Sequence, residues 1–278
     1  MKKILAIPFL LFICSGLFAQ ESSGSKDMKN FRFGGTVLPS LFWYAPDDVK
    51  KFNPNGPVAK FGVLINGELS SPNGKFAFGF GIGLASSGGK MTFTDTARYY
   101  YSNDALIKQA DTVGLKGKYS QYKLNSRTYN ASYFLIPLSI KMRTNEIGYL
   151  RYFFQPGLTI GIRKKVLAND DLTTLPNNWP KTSAVGAQSA NQTDLDITSD
   201  MALFRLSATI SAGGEYYVSG STALVFSIGY DYGLSNVVKG TSNYLILAPS
   251  SSTTGATNTP VQQKFTQSGV ILSLGVLF

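Results

Sequence analysis

Apolar and polar residues alternate along much of this chain after residue 30. In GVILSLGVLF, residues 269–278, five side chains fall on one face of an extended strand: Val270, Leu272, Leu274, Val276 and Phe278. Small or mixed residues fall on the other face. A period of two is typical of a β-strand with one apolar face. Chain ends are usually loose and polar, so an aromatic residue that completes such a face indicates a strand that closes a sheet.

Seven earlier segments alternate in the same way. They begin near Phe31, Val58, Phe76, Tyr133, Arg151, Met201 and Thr222. Long polar stretches follow the first, third, fifth and seventh segments, at 46–57, 86–119, 168–199 and 235–262, and short turns follow the others. Outer-membrane barrels combine short periplasmic turns with long extracellular loops. The pattern predicts an all-β fold, an eight-stranded antiparallel up-and-down transmembrane β-barrel with four long extracellular loops, whose last strand pairs with residues 30–44.

The N-terminus has the composition of a secretory signal peptide. Lys2 and Lys3 precede an apolar run that ends before Ala19. We expect export through the Sec pathway with cleavage after Ala19, which gives a signal peptide (1–19), a periplasmic lead (20–29) and an outer-membrane barrel (30–278). A lipoprotein with Cys14 lipidated is disfavoured because Ile13 stands where a small residue is required. No later run approaches the roughly 18 apolar residues of a spanning helix.

The net charge of the chain limits the classes of partner that are expected. The formal net charge is +10, but no Lys/Arg cluster with interleaved aromatic residues is present, so nucleic acid is not expected. The partners expected instead are outer-membrane lipid and the phosphates of lipopolysaccharide, or acidic residues inside a barrel. Gly79, Gly81 and Gly83 keep a period of two within a strand and do not form a dinucleotide loop, so no cofactor is expected.

Several stretches resemble a family of small outer-membrane barrels of the Bacteroidetes, the PorT-like or outer membrane protein beta-barrel domain family. They are YFLIPLSIKMR (Tyr133–Arg143), FFQPGLTIGI (Phe153–Ile162), SAGGEYY (Ser211–Tyr217) and FSIGYDYGLSNV (Phe226–Val237). The sequence has Leu135 where this family often has an acid. The resemblance implies an outer-membrane location and, by analogy with some relatives, a role in a type IX-like export assembly.

Charged residues on the non-apolar faces are predicted to meet inside the barrel. The predicted network contains Arg32, Glu68, Lys141, Arg151, Arg205, Glu215 and Asp231. Buried charges persist only when they are paired and hydrogen-bonded. We therefore expect a plugged interior in which Arg151 and Arg205 meet Glu215 and Asp231. The alternative is a narrow channel for small anionic solutes, although eight strands enclose little more than side chains.

An enzyme is not expected from this composition. The chain contains no histidine, which excludes a Ser-His nucleophile or an imidazole metal site. The paired acids in the loops lack calcium-motif spacing and are interpreted as solvated charges, so no catalytic or metal residue is predicted.

Two further sites are predicted from short patterns. Thr96 and Thr112 lie in Asp-Thr-Ala and Asp-Thr-Val tripeptides that resemble O-glycosylation acceptors of exported Bacteroidetes proteins. Val276 and Phe278 resemble the terminal signal read by the barrel-assembly machinery. The predicted function is that of a non-enzymatic integral outer-membrane protein, a structural or partner-binding component of an export or uptake assembly.

Overall fold

The fold is all-β. The computed structural model describes residues 30–93, 97–102, 105–111, 120–174, 189–247 and 259–278. These residues form sixteen strands in one antiparallel sheet, and a 3-10 helix spans Thr198–Asp200. Within these ranges no helix is long and apolar enough to cross a membrane.

The strands are numbered in chain order. They are β1 (Phe31–Val37), β2 (Ser40–Pro46), β3 (Phe52–Pro54), β4 (Val58–Lys60), β5 (Gly62–Ser70), β6 (Phe76–Phe93), β7 (Ala97–Ser102), β8 (Ala105–Ile107), β9 (Ser120–Arg143), β10 (Leu150–Thr174), β11 (Ser189–Asp196), β12 (Phe204–Ser219), β13 (Thr222–Gly233), β14 (Thr241–Leu247), β15 (Thr259–Gln262) and β16 (Phe265–Leu277).

Eight of these strands pair in a circuit. β1 pairs with β5, β5 with β6, β6 with β9, β9 with β10, β10 with β12, β12 with β13, β13 with β16, and β16 again with β1. At the return point, Phe278 donates its backbone N–H to the carbonyl of Phe33 over 2.8 Å. β2 extends the contact by pairing with residues 265–271. The last strand therefore lies against residues 31–46, as the sequence predicts.

The predicted count of eight strands is too low. Leu38 and Pro39 interrupt the first segment and separate β1 from β2, while Phe61 separates β4 from β5. Proline lacks the N–H that a central strand requires, which explains the break at Pro39. The predicted long loops also contain strands: β3, β7, β8, β11, β14 and β15 lie within them.

One face of the circuit carries an exposed apolar belt. Side chains at least 37% exposed include Phe33, Val63, Ile65, Phe76, Phe78, Phe80, Ile82, Leu84, Phe134, Ile140, Phe154, Leu158, Phe204, Ile210, Leu224, Phe226, Ile228 and Leu274. Water-soluble monomers rarely expose contiguous apolar patches larger than a few hundred Å². Every strand of the circuit carries part of this belt, as contact with lipid requires. Apolar side chains exposed to lipid are not exposed to water, so the hydrophobic effect does not disfavour their exposure.

The polarity of the strands inverts partway along their length. On β9 the apolar residues Phe134, Leu138 and Ile140 are exposed, whereas Tyr129 and Tyr133 are buried. Because neighbouring side chains point to opposite faces, the apolar side switches from inner to outer between Tyr133 and Phe134. β10 makes the same switch through a register shift between Arg163 and Lys165. The sheet thus has one portion built for lipid and one built for water.

The water-adapted portion encloses a core of its own. We call it the outer module; its buried cluster includes Tyr44, Phe52, Met91, Phe93, Tyr99, Leu124, Tyr129, Val166, Leu172, Ile197, Val238, Leu245 and Phe265. β10 contains 25 residues, which at about 3.3 Å per residue span roughly 80 Å. A hydrocarbon core is only about 30 Å thick, so the long strands continue well beyond it into the outer module.

Candidate functional site

Five charged side chains from four strands meet on the inner face of the circuit. We call them the basal cluster: Arg32 on β1, Glu68 on β5, Lys141 and Arg143 on β9, and Glu215 on β12. All are at most 6% exposed. Because side chains alternate between the two faces of a strand, each of these five points to the face that does not carry the apolar belt. Arg32 on β1 pairs directly with Glu68 on β5.

Each cation of the basal cluster contacts both carboxylates. Arg32 donates to Glu68 over 2.6 Å and to Glu215 over 2.8 Å. Lys141 Nζ lies 2.9 Å from an oxygen of each glutamate. Arg143 donates to Glu215 over 3.0 Å and also to Glu68. Three cations thus share two carboxylates, so the cluster carries one excess positive charge.

The basal cluster spans the interior. β5 and β12, which carry the two glutamates, are four pairings apart in either direction around the circuit. Side chains from such strands meet only if the sheet curls around them. Their mutual pairing offsets the desolvation that would otherwise make buried charges unfavourable.

Arg151 lies directly across the β10–β12 ladder from Glu215, one of the acids that it was predicted to meet, and it also contacts residues that were not predicted. Its guanidinium donates to Glu146 over 3.2 Å and lies 5.4 Å from the ring centroid of Tyr217. Glu215 accepts hydrogen bonds from Arg32, Lys141, Arg143 and the hydroxyl of Tyr217. The sequence places Arg151 on the inner face but does not reveal that β9 supplies two cations to the same carboxylate.

A second ion pair lies farther along the interior. Arg205 Nη2 donates to both carboxylate oxygens of Asp231, over 2.7 and 2.8 Å, and Ser207 donates to the same carboxylate over 3.1 Å. The guanidinium carbon of Arg205 is 5.2 Å from the ring centroid of Phe42, a cation–π distance. The structure thus brings together Arg205 and Asp231, two members of the predicted interior network.

A cavity of about 140 Å³ adjoins this pair, lined among others by Ser87, Gln155 and Thr159. Arg205 Nε and Ser87 Oγ have no hydrogen-bond partner within the described part of the chain. Liquid water occupies about 30 Å³ per molecule. The space is therefore a small chamber between the basal cluster and the outer module, with a lining that is mostly apolar and includes a few polar groups.

The outer module contains a further buried ion pair, which was not predicted from the sequence. Arg127 donates to Asp170 in a bidentate arrangement over 2.7 and 2.6 Å, and its guanidinium lies 5.9 Å from the ring centroids of Tyr99 and Tyr129. Burial alone would lower the pKa of Arg127, but the charge of Asp170 raises it above its ordinary value. The sequence pattern that could have indicated this pair is a series of buried residues at every second position: Arg127, Tyr129, Ala131 and Tyr133.

The family is shown by a family model. The model described as "Outer membrane protein beta-barrel domain" matches residues 18–239, more than half of the chain. The chain belongs to this family. Membership places the protein in the bacterial outer membrane, in agreement with the apolar belt.

Solved outer-membrane proteins are similar at low sequence identity. Neisserial surface protein A is 12% identical, with 90% of this chain and 96% of that chain covered and a TM-score of 0.41. Ail of Yersinia pestis, solved with the heparin analogue sucrose octasulfate, is 10% identical, with 90% and 100% covered and a TM-score of 0.35. A major outer membrane protein of Thermus thermophilus is 12% identical, with 90% and 99% covered and a TM-score of 0.36. No curated protein matches the chain.

The remaining predicted sites of this outer-membrane protein have different outcomes. Val276 pairs with Gly35 and Leu224 on the two neighbouring strands, and the ring of Phe278 lies 5.8 Å from that of Phe33. Thr96 and Thr112, like the predicted signal peptide and periplasmic lead, lie outside the described residues. Within those residues, no group of His, Cys, Asp and Glu could hold a metal ion.

Proposed function

We propose that the protein is a plugged transmembrane barrel, built on the circuit of eight strands, that anchors its outer module at the cell surface as a partner-binding component of an outer-membrane assembly. The observation that carries this proposal is the contact between Glu68 and Glu215 through Lys141, across the interior of the circuit. A strand circuit filled at this level by five charged side chains leaves little room for a solute.

The outer module supports the same proposal. Above the cavity, the inner face is packed with aromatic and aliphatic side chains such as Tyr99, Leu124 and Val166, which are fully buried. An interior closed at two levels favours a structural or binding role over transport. The short turns at one end and the longer connections at the other support the topology of periplasmic turns and extracellular loops.

The likeness to PorT-like barrels of the Bacteroidetes supports a place in an export assembly, with an uptake assembly as the second setting. In either setting the chain itself is proposed to be non-enzymatic, with no cofactor. Its proposed partners are the barrel-assembly machinery during insertion, outer-membrane lipid, and one or more protein partners at the outer module.

Cross-linking in native membranes tests the partner-binding role. A photo-reactive residue at Lys239, which is exposed on the loop side, should give a discrete adduct of defined mass. The same residue at Asn73, in a short turn on the opposite side, should not give that adduct. Recovery of the chain without adducts from either position would contradict a partner at the outer module.

A narrow channel for small anionic solutes is the competing proposal. One observation favours it, namely the excess positive charge of the basal cluster, with three cations for two carboxylates. A cationic constriction selects anions. Single-channel recording separates the two proposals, because only the channel gives steady anion-selective currents.

A further inference from the structure

Three lysines lie just beyond the edge of the apolar belt, on the side of the outer module. Lys164 and Lys165 are exposed and follow Ile162 on β10, and Lys60 immediately precedes Phe61, which is 53% exposed. In the described part of the chain, no ion pair engages these three side chains. They stand at the boundary where the strands change from lipid-facing to water-facing polarity.

A β-bulge turns two of these lysines outward. Ile162 pairs with Phe134 and Lys165 with Ser132, and the register shifts between Arg163 and Lys165. Arg163 points inward and donates to the carbonyls of Thr198 and Met201. The extra residue in the bulge lets Lys164 and Lys165 both stay on the outer face, where strict alternation would have allowed only one.

Lys60 reaches the same face from a more distant strand. Its ammonium group donates to the side chain of Asn130. The side chain of Lys60 passes over Gly88. A Cβ atom added to Gly88 would lie only 3.1 Å from Lys60 Cε. The backbone of Lys60 pairs with Ser40 on the β2–β4 ladder. Asn130 and Ser132 alternate in phase with exposed Phe134, so the ammonium end of Lys60 lies at the outer surface. Asn130 and Lys165 are diagonal neighbours on adjacent strands, with backbone positions about 7–8 Å apart.

We propose that Lys60, Lys164 and Lys165 bind the phosphate groups of lipopolysaccharide in the outer leaflet. The inference rests on the proposed function, which places the outer module outside the cell. Three ammonium groups in one arc complement clustered phosphates. Free phosphate would not use the exposed apolar side chains of Phe61, Phe134 and Phe204 directly below the arc, whereas a lipid places acyl chains there. The carboxylate of Asp196 interacts electrostatically with Lys165 and Arg163. One carboxylate does not neutralise the positive charge of the three lysines.

Binding of purified lipid A to the full chain in neutral phospholipid nanodiscs tests this site. The variant K60Q/K164Q/K165Q should lose roughly a hundredfold in affinity, at about 1 kcal/mol per lysine near an anionic lipid surface. The control K51Q/K239Q/K264Q removes the same charge from exposed lysines outside the arc and should bind as the unmodified chain does. Dephosphorylated lipid A should bind all three proteins equally weakly.

Equal affinity of the arc variant and the unmodified chain would overturn the inference, and so would an equal loss in both triple variants. Gel mobility before and after heating shows whether each variant is folded. Topology is measured separately by labelling Lys239→Cys and Asn73→Cys in whole cells. Labelling of Asn73→Cys alone would refute the proposed function together with this site. Labelling of Lys239→Cys alone, with no lipid A preference, would refute only this site.

Discussion

Glu68 and Glu215 share one ammonium group: Lys141 Nζ lies 2.9 Å from a carboxylate oxygen of each. The two glutamates belong to strands on opposite sides of the circuit, so this contact fixes the width of the interior at the basal cluster. Arg32 and Arg143 also bridge both carboxylates. The cluster is a mutual network whose members depend on one another.

Removing one carboxylate should therefore cost much more than removing an exposed one. Glu215→Gln leaves three buried cations with a single anion, and we expect a loss of about 3–5 kcal/mol in the free energy of unfolding. The matched control Glu146→Gln breaks the more exposed pair with Arg151 and should cost no more than about 1 kcal/mol. Urea unfolding in lipid vesicles measures both. Similar losses for the two variants would contradict the network.

The ion pair of the outer module should behave as a unit. Asp170→Asn leaves Arg127 buried without its anion, and we expect the outer module to lose about 3–5 kcal/mol. The double variant R127M/D170L replaces both charges with apolar groups and should be less destabilised than the single variant. Proteolysis of the folded protein reports on the outer module. A double variant that is cleaved faster than Asp170→Asn would refute this account.

Alkaline pH should weaken the outer module. Burial raises the pKa of Tyr99 and of Tyr129 above the ordinary value, and the charge of Asp170 raises both further. In the unfolded chain both tyrosines lose a proton near pH 10. Their contribution to stability is complete below pH 10 and falls as the pH rises above it, by up to about 1.4 kcal/mol per pH unit for each tyrosine.

Replacement of both tyrosines by phenylalanine should flatten this alkaline dependence. The control Tyr149→Phe changes a residue that is 68% exposed and should leave the slope unchanged. The urea midpoint of the near-ultraviolet circular dichroism, measured from pH 8 to pH 11, gives the slope. An unchanged slope in Y99F/Y129F would assign the alkaline loss to other groups.

Phe278 should matter for assembly. Its backbone is hydrogen-bonded to Phe33, and its ring packs on the same partner. Phe278→Ser should lower the amount of folded protein in the outer membrane, while Phe278→Tyr, which keeps an aromatic ring, should retain it. Quantitative blotting of heat-modifiable protein measures both. Normal levels of Phe278→Ser would contradict a role for Phe278 in assembly.

The membrane portion was predictable because lipid requires every strand to carry apolar side chains on its outer face. The alternation of Phe76, Phe78 and Phe80 predicts an exposed apolar face, which the structure has. The contact of β16 with the first strands followed from the same rule, since a sheet in lipid has no water to satisfy free edges.

The outer module was not predicted because its strands carry their apolar side chains on the inner face. Ser132 and Asn130 face water and the buried face includes Arg127, so this stretch has the polarity of a loop when judged by composition. The change of apolar phase between Tyr133 and Phe134 was visible in the sequence. The pairing of Arg143 with both glutamates was not visible, because contacts across the interior of the circuit depend on the stagger of strands far apart in sequence.

Planar-bilayer recording of the purified protein tests the plugged interior most directly. A channel-forming outer-membrane porin inserted under the same conditions serves as the positive control. With the basal cluster and the outer module both in place, we predict no steady conductance above the bare bilayer. Steady, reproducible open-channel currents from the unmodified chain would contradict the plugged barrel and favour the anion channel.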